Sequence, residues 1–191
     1  MERLRYWTYY SHVKEKDLRQ MKIDTPIGQL TLVASAKGLR RVYFEELTDA
    51  DVEDLEALVY DASDPTLEST ARQIEEYFSG KRRSFDIPLD LVGTDFQIET
   101  WHALAKIEYG KTASYGQQAI LVGRPRAVRA VGGANRCNPV PIVLPCHRII
   151  GANGKLTGFA GGLETKRWLL EHESARVDSK ETMSESQLLC N

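Results

Sequence analysis

From Tyr109 to Leu163 the chain contains neither aspartate nor glutamate, although 27 acidic side chains occur elsewhere in its 191 residues. Lys111, Arg124, Arg126, Arg129, Arg136, Arg148 and Lys155 fall inside that span, so a formal net charge of −2 leaves −9 for the remainder. Such segregation is the footprint of a polyanion-binding face on an otherwise acidic protein, the plain alternative being a chance gap in acidic residues. Cysteine is scarce too. Cys137, Cys146 and Cys190 make an odd, widely spaced set without a CxxC pair, which argues for reduced thiols and against a disulfide framework or a zinc finger. No apolar run approaches the roughly 20 residues of a membrane-spanning helix. The first residues lack the apolar core and cleavage site of a secretory signal, so the expected location is the cytoplasm, or the nucleus in a eukaryote, with no membrane partner.

What is present divides in two. Residues 1–20 form a polar, aromatic-rich extension without assigned function, and residues 21–92 read as a small α/β domain. Its strands are MKID, QLTLVAS with Leu30, Leu32 and Ala34 alternating, LRRVYFEE with Val42 and Phe44 on one face, and SFDIPLDL. Asp64-Pro65 starts a helix whose Leu67, Ala71, Ile74 and Phe78 should face inward. Residues 93–173 read as mainly helical. Thr94 or Asp95 caps a helix carrying Phe96, Trp101, Leu104 and Ile107. SYGQQAILVG and RAVRAVGGANRC then form two short helices around a turn, a helix-turn-helix pattern with Arg126, Arg129 and Arg136 spread along the second. Residues 174–191 are unpatterned and expected to be disordered. The fold class is therefore α+β.

The chemistry centres on NPVPIVLPCHRII, residues 138–150. The apolar run should be a buried strand or extended segment ending in Cys146, followed by a glycine-rich loop that lets backbone approach a ligand. A free thiol is only a few per cent ionised at neutral pH, so a nucleophile needs a base or a positive neighbour. His147 and Arg148 follow it. Strand neighbours point to opposite faces, so His147 would act through a water. A carboxylate behind His147 would fix its tautomer, and Glu173, on the LETKRWLLEHE helix, is the candidate. The bland reading, in which Cys146 is a buried small hydrophobe, fits its neighbours poorly.

Residues from about Gly93 to Glu173 resemble the catalytic domain of the O6-alkylguanine-DNA alkyltransferases, the methylated-DNA-protein-cysteine methyltransferases. The matching stretches are GTDFQ with Trp101 and Leu104, SYG at 114–116, RAVGGA at 129–134, NPVPIVLPCHRII, GKLTGF with GGL, and Lys166 with LLEHE. The first half resembles the family's N-terminal domain of ribonuclease H-like topology more loosely. The resemblance implies direct, irreversible, single-turnover transfer of the alkyl group from O6-alkylguanine, and from O4-alkylthymine, in DNA to Cys146.

It further implies that Cys146, His147, Glu173 and Asn138 are catalytic. Tyr115, Arg126, Arg129, Ala130, Gly132 and Arg136 would bind DNA, with Arg129 filling the gap left by a flipped base and Tyr115 rotating the nucleotide at its 3′ phosphate. Val143, Pro145, Arg148, Ile149, Phe159, Ala160 and Lys166 would line the base pocket. No metal or cofactor is expected. The implied partner is double-stranded DNA containing O6-alkylguanine, bound by a monomer with scope for cooperativity. Phe159 departs from the tyrosine common in the family's pocket, and Cys137 beside Asn138 is unusual. Two other readings remain: a sensor that binds alkylated DNA without reacting, which the reactive cysteine opposes, and a Cys-His thiol hydrolase, which leaves the arginines unexplained.

Overall fold

The computed structural model describes residues 18–45, 51 and 55–173, so most of the 1–20 extension and all of the 174–191 tail lie outside the described residues. The chain divides into two compact units between Gly93 and Thr94. Among the described residues no helix is long and apolar enough to cross a membrane.

In the first unit β1 (Arg19–Thr25), β2 (Gly28–Ser35) and β3 (Gly38–Phe44) form an antiparallel meander, and β4 (Val59–Tyr60) adds parallel to β1, giving the order β3-β2-β1-β4. The sequence pattern suggests that β2 buries one face only. It buries both, because helix α1 (Pro65–Phe78) packs on the sheet while Val33 joins Leu18 and Leu55 in a separate apolar cluster. Asp64 caps α1 by accepting from the amides of Thr66 and Leu67 at 2.9 and 3.0 Å. Its buried face is Leu67, Thr70, Gln73, Ile74 and Tyr77, with Ala71 and Phe78 only half-buried.

The expected strand SFDIPLDL is reduced to a single bridge between Leu39 and Leu89. Pro88 has no amide to donate to a ladder, and the Gln73 side chain occupies the backbone of Asp86 instead, donating to its carbonyl at 2.7 Å and accepting from its amide at 2.8 Å.

The second unit begins with Thr94, which caps α2 (Asp95–Leu104) in a reciprocal box with Gln97. Then follow β5 (Ala113–Ser114), α3 (Tyr115–Leu121), α4 (Val128–Arg136), a single 3-10 turn (Cys146–Arg148), β6 (Ile149–Ile150) and α5 (Gly162–His172). Helices α3 and α4, joined through residues 122–127, are the helix-turn-helix pair. They are locked to α2 by buried polar bonds. Trp101 Nε1 donates to the Ala134 carbonyl at 2.8 Å, and Gln118 and Asn135 exchange side-chain bonds at 2.6 and 3.1 Å while Gln118 also reaches the Thr100 carbonyl. Satisfied buried amides of this kind fix a unique packing. Short β5 runs parallel to β6, pairing Ala113 with Ile149 and Ser114 with Ile150.

Candidate active site

The apolar segment 138–145 folds as a tight loop and not as a strand. Asn138 holds it from inside, donating Nδ2 to the Leu144 carbonyl at 2.8 Å and accepting from the Val140 amide at 3.2 Å. The loop forces Ile142 to φ 75°, a left-handed conformation that a β-branched residue adopts only when its surroundings compel it. The chain then turns through Cys146, His147 and Arg148 in one 3-10 turn, so the strand argument for opposed side chains does not apply to the Cys146-His147 pair.

Cys146 is buried, 8% exposed, and His147 fully so. Burial pushes the Cys146 thiol above its ordinary value, against a hydrogen bond with the Asn138 side chain and the charge of Lys166. The resting group is therefore a thiol that needs a base. Burial likewise pushes His147 below its ordinary value, and prevails over the upward pull of Glu173, which leaves the imidazole neutral at pH 7.

Behind His147 lies a buried ionic cluster. His147 Nε2 is 2.8 Å from Glu173 Oε1. Arg148 donates Nε to Glu173 Oε2 at 2.9 Å, Nη2 to Oε1 at 3.0 Å and Nη1 to the Ile107 carbonyl at 2.5 Å. The Gly110 amide also donates to Oε2 at 3.2 Å. Gly110 has φ 76°, and a Cβ there would come within 2.9 Å of the Glu173 carbonyl, so both conformation and space demand glycine. Burial alone would raise the Glu173 carboxyl. The hydrogen bonds of His147 and Arg148, together with the Arg148 charge, outweigh it and hold the group well below the usual carboxylate range. With the imidazole neutral, Arg148 is the charge that keeps Glu173 ionised. An ionised carboxylate only accepts, so Nε2 carries the ring proton and Nδ1 presents a lone pair. Among the described residues, Nδ1 is the one buried side-chain nitrogen or oxygen without a hydrogen-bond partner.

Arg148 thus corrects one expectation. Expected to line a base pocket, it has its guanidinium held instead by Glu173 and the Ile107 carbonyl. Val143, Pro145 and Ile149 are buried on either side of the turn. Phe159, half-buried, meets His147 edge to face at a centroid distance of 6.3 Å, and Ala160 beside it is exposed. Lys166 is fully buried and donates to the carbonyls of Ile149 at 2.5 Å and Thr157 at 2.8 Å. Burial lowers it from 10.5 to about 8, with Cys146 acting to raise it.

The prospective DNA face is α3 and α4. Ser114 caps α3 in a box with Gln117, and Tyr115, half-buried, sets its ring against Gly132. Along α4 the buried residues are Val131, Ala134 and Asn135, leaving Arg129, Ala130 and Arg136 exposed, with Arg126 exposed just before it. Arg124 is paired with Glu99 at 3.0 Å, whereas Arg126, Arg129 and Arg136 meet no carboxylate among the described residues. Sequence reasoning missed Gln118, Asn135 and Thr157. A glutamine inside the apolar stretch of α3 was the one visible hint. Among the described residues no group of three or more His, Cys, Asp or Glu side chains could hold a metal ion.

Comparison with known proteins gives a consistent picture. Residues 95–175 match the family model described as 6-O-methylguanine DNA methyltransferase, DNA binding domain, and residues 6–91 its ribonuclease-like domain. A methylated-DNA–protein-cysteine methyltransferase of Methanosarcina barkeri is 44% identical over 154 residues, covering 79% of this chain and 94% of the relative. One of Mycobacterium tuberculosis is 46% identical over 162 residues, covering 84% and 95%. The crystal structure of the M. tuberculosis O6-methylguanine methyltransferase superimposes with a TM-score of 0.75 at 43% identity, covering 83% of this chain and 94% of that one. An M. tuberculosis structure in complex with DNA gives 0.72 at 42% identity, covering 90% and 98%.

Proposed function

The chain belongs to the 6-O-methylguanine DNA methyltransferase family, and on that premise we propose that Sγ of Cys146 is the acceptor of the alkyl group. The protein is a methylated-DNA–protein-cysteine methyltransferase that repairs O6-methylguanine and binds DNA. The observation that carries the assignment of Cys146 is the lone pair of His147 Nδ1, buried without a partner next in the chain to the thiol.

His147 Nδ1 takes the Cys146 proton, through a bridging water, while Glu173 holds Nε2 and Arg148 holds Glu173. The thiolate attacks the alkyl carbon in line. The S–C bond forms, the C–O6 bond breaks, and its electron pair leaves with the base, which gains one proton to become guanine. The proton lost by the thiol balances the proton gained by the base, so no outside acid or oxidant is required. A thioether does not hydrolyse, so each molecule acts once. O4-alkylthymine offers the same exocyclic oxygen-alkyl bond and is the second substrate.

Flipping the damaged base into the site costs a few kcal/mol, least where pairing is already poor. Arg126, Arg129 and Arg136 supply the grip and Arg129 fills the vacated stack, while α4 enters the minor groove, where binding independent of sequence suits a lesion at any position. Tyr115 engages the backbone of the flipped nucleotide. The protein works as a monomer.

The test is a duplex oligonucleotide containing O6-methylguanine followed by peptide mass spectrometry. One methyl group per chain on the Cys146 peptide is expected, with Cys146→Ala binding but not reacting. Multiple turnover, or methylation confined to Cys137 or Cys190, refutes the assignment.

A further inference from the structure

Thr157 lies on the glycine-rich loop between β6 and α5, and two contacts reach it, one at its hydroxyl and one at its carbonyl. Its hydroxyl is 3.0 Å from the Tyr115 hydroxyl, at the start of α3. Its carbonyl accepts from Lys166 Nζ at 2.8 Å, and the same ammonium holds the Ile149 carbonyl in the strand that leaves the nucleophile. Two residues further on, Phe159 sets its ring edge against His147. Gly154 (φ 78°) precedes this stretch and Gly158 (φ 21°) lies within it, so the loop owes its position to such side-chain tethers rather than to a regular ladder.

The chemistry of the hydroxyl pair fixes its direction once DNA is present. A phosphate oxygen only accepts, so a Tyr115 hydroxyl bound to it must donate its one proton outward. Its oxygen is then free to accept from Thr157. The result is a one-way chain, Thr157 O–H to Tyr115 O–H to phosphate, in which each bond polarises and strengthens the next. We infer that Thr157 is a positioning residue, the contact through which a DNA-engaged Tyr115 holds the Phe159 loop in place for the incoming base. This rests on the reading of Tyr115 as a DNA-backbone contact.

Thr157 is exposed, so its variants should fold. Single-turnover transfer is measured from a duplex containing O6-methylguanine and from free O6-benzylguanine base without DNA, together with affinity for an undamaged duplex. Thr157→Val is expected to slow transfer from the duplex about five- to tenfold, the scale of one lost hydrogen bond. Transfer from the free base and affinity for the undamaged duplex should change less than about twofold, because neither presents the phosphate of a flipped nucleotide to Tyr115. Thr157→Ser should restore the wild-type rate. Wild-type duplex transfer in Thr157→Val, or an equal loss with the free base, overturns the inference. Tyr115→Phe separates it from its premise: an unimpaired Tyr115→Phe sinks the reading of Tyr115 itself, whereas an impaired Tyr115→Phe beside a normal Thr157→Val sinks only the role of Thr157.

Discussion

Arg148 holds Glu173 through two nitrogens, at 2.9 and 3.0 Å, so the carboxylate that orients His147 is ionised before any substrate arrives. His147 can therefore stay neutral, and in the proposed mechanism its unpartnered Nδ1 is available as the base. The relay is a buried ion pair with an imidazole attached, and its energetics follow from that.

Removing one member strands another. Glu173→Gln leaves the Arg148 guanidinium buried without its anion, and the expected destabilisation is about 3–5 kcal/mol. Urea unfolding followed by tryptophan fluorescence reads it, since Trp101 and Trp168 lie in this unit. Adding Arg148→Met should recover much of the stability but not the transfer rate. Equal midpoints for Glu173→Gln and wild type would mean that the pair contributes nothing.

The same carboxylate sets an acid limit. Its folded pKa lies below the ordinary 4.5, so its contribution is complete above that value and lost as pH falls through and below it. Stability should drop more steeply below pH 4.5 in the wild type than in Glu173→Gln. Parallel pH profiles would contradict the assignment.

Lys166 acts at the alkaline end. A fall from 10.5 to about 8 means that the buried ammonium costs roughly 3 kcal/mol at pH 7. From pH 8 to 10.5 the unfolded chain binds the extra proton, so this cost is relieved as pH rises. Cys146, raised above its ordinary value, works in the opposite direction at high pH. The clean measurement is the stability difference between wild type and Lys166→Met, which should move in favour of the wild type across that window. A constant difference would show that Lys166 is not titrating there.

The two described thiols should part company with different reagents. Cys137 is exposed and Cys146 is buried with its pKa pushed up. Iodoacetamide at pH 7 is expected to label Cys137 first, whereas alkylated DNA should modify Cys146. Preferential iodoacetamide labelling of Cys146 would mean that it is already a thiolate at rest.

Asn138→Ala removes both bonds that brace the turn around Ile142. An expected loss of about 2–3 kcal/mol follows from two unsatisfied backbone partners, with slower transfer because the Leu144 to Cys146 backbone loses its brace. A variant as stable and as fast as wild type would show that the turn holds itself.

The contact of His147 with Glu173 and the exposed arginines at α4 were legible because each is carried by residue type in a local pattern: Pro-Cys-His-Arg, an acid-free span, and a glutamate at the end of the following helix. Arg148 was not. Its destination depends on Ile107 and Glu173, dozens of positions away in the chain, and an arginine beside a nucleophile looks the same whether it faces substrate or carboxylate. The double-sided burial of β2 was likewise invisible, because Val33 is covered by Leu18 and Leu55 from distant segments. The strand expected at SFDIPLDL failed because Gln73, a helix side chain, took the place of a neighbouring strand.

The two-residue pairing of β5 with β6 bears on how the molecule can be altered. One strand runs directly into α3 and the other comes directly from the Cys146 turn, so the helix pair and the cysteine turn share a single splice. The helix pair is therefore not a cassette: transplanting another helix-turn-helix at Ser114 would carry the backbone of Ile150 with it and displace the nucleophile. Changes in binding preference are better sought on the exposed side of α4, at Arg129, Ala130 and Arg136, where substitution leaves that splice untouched.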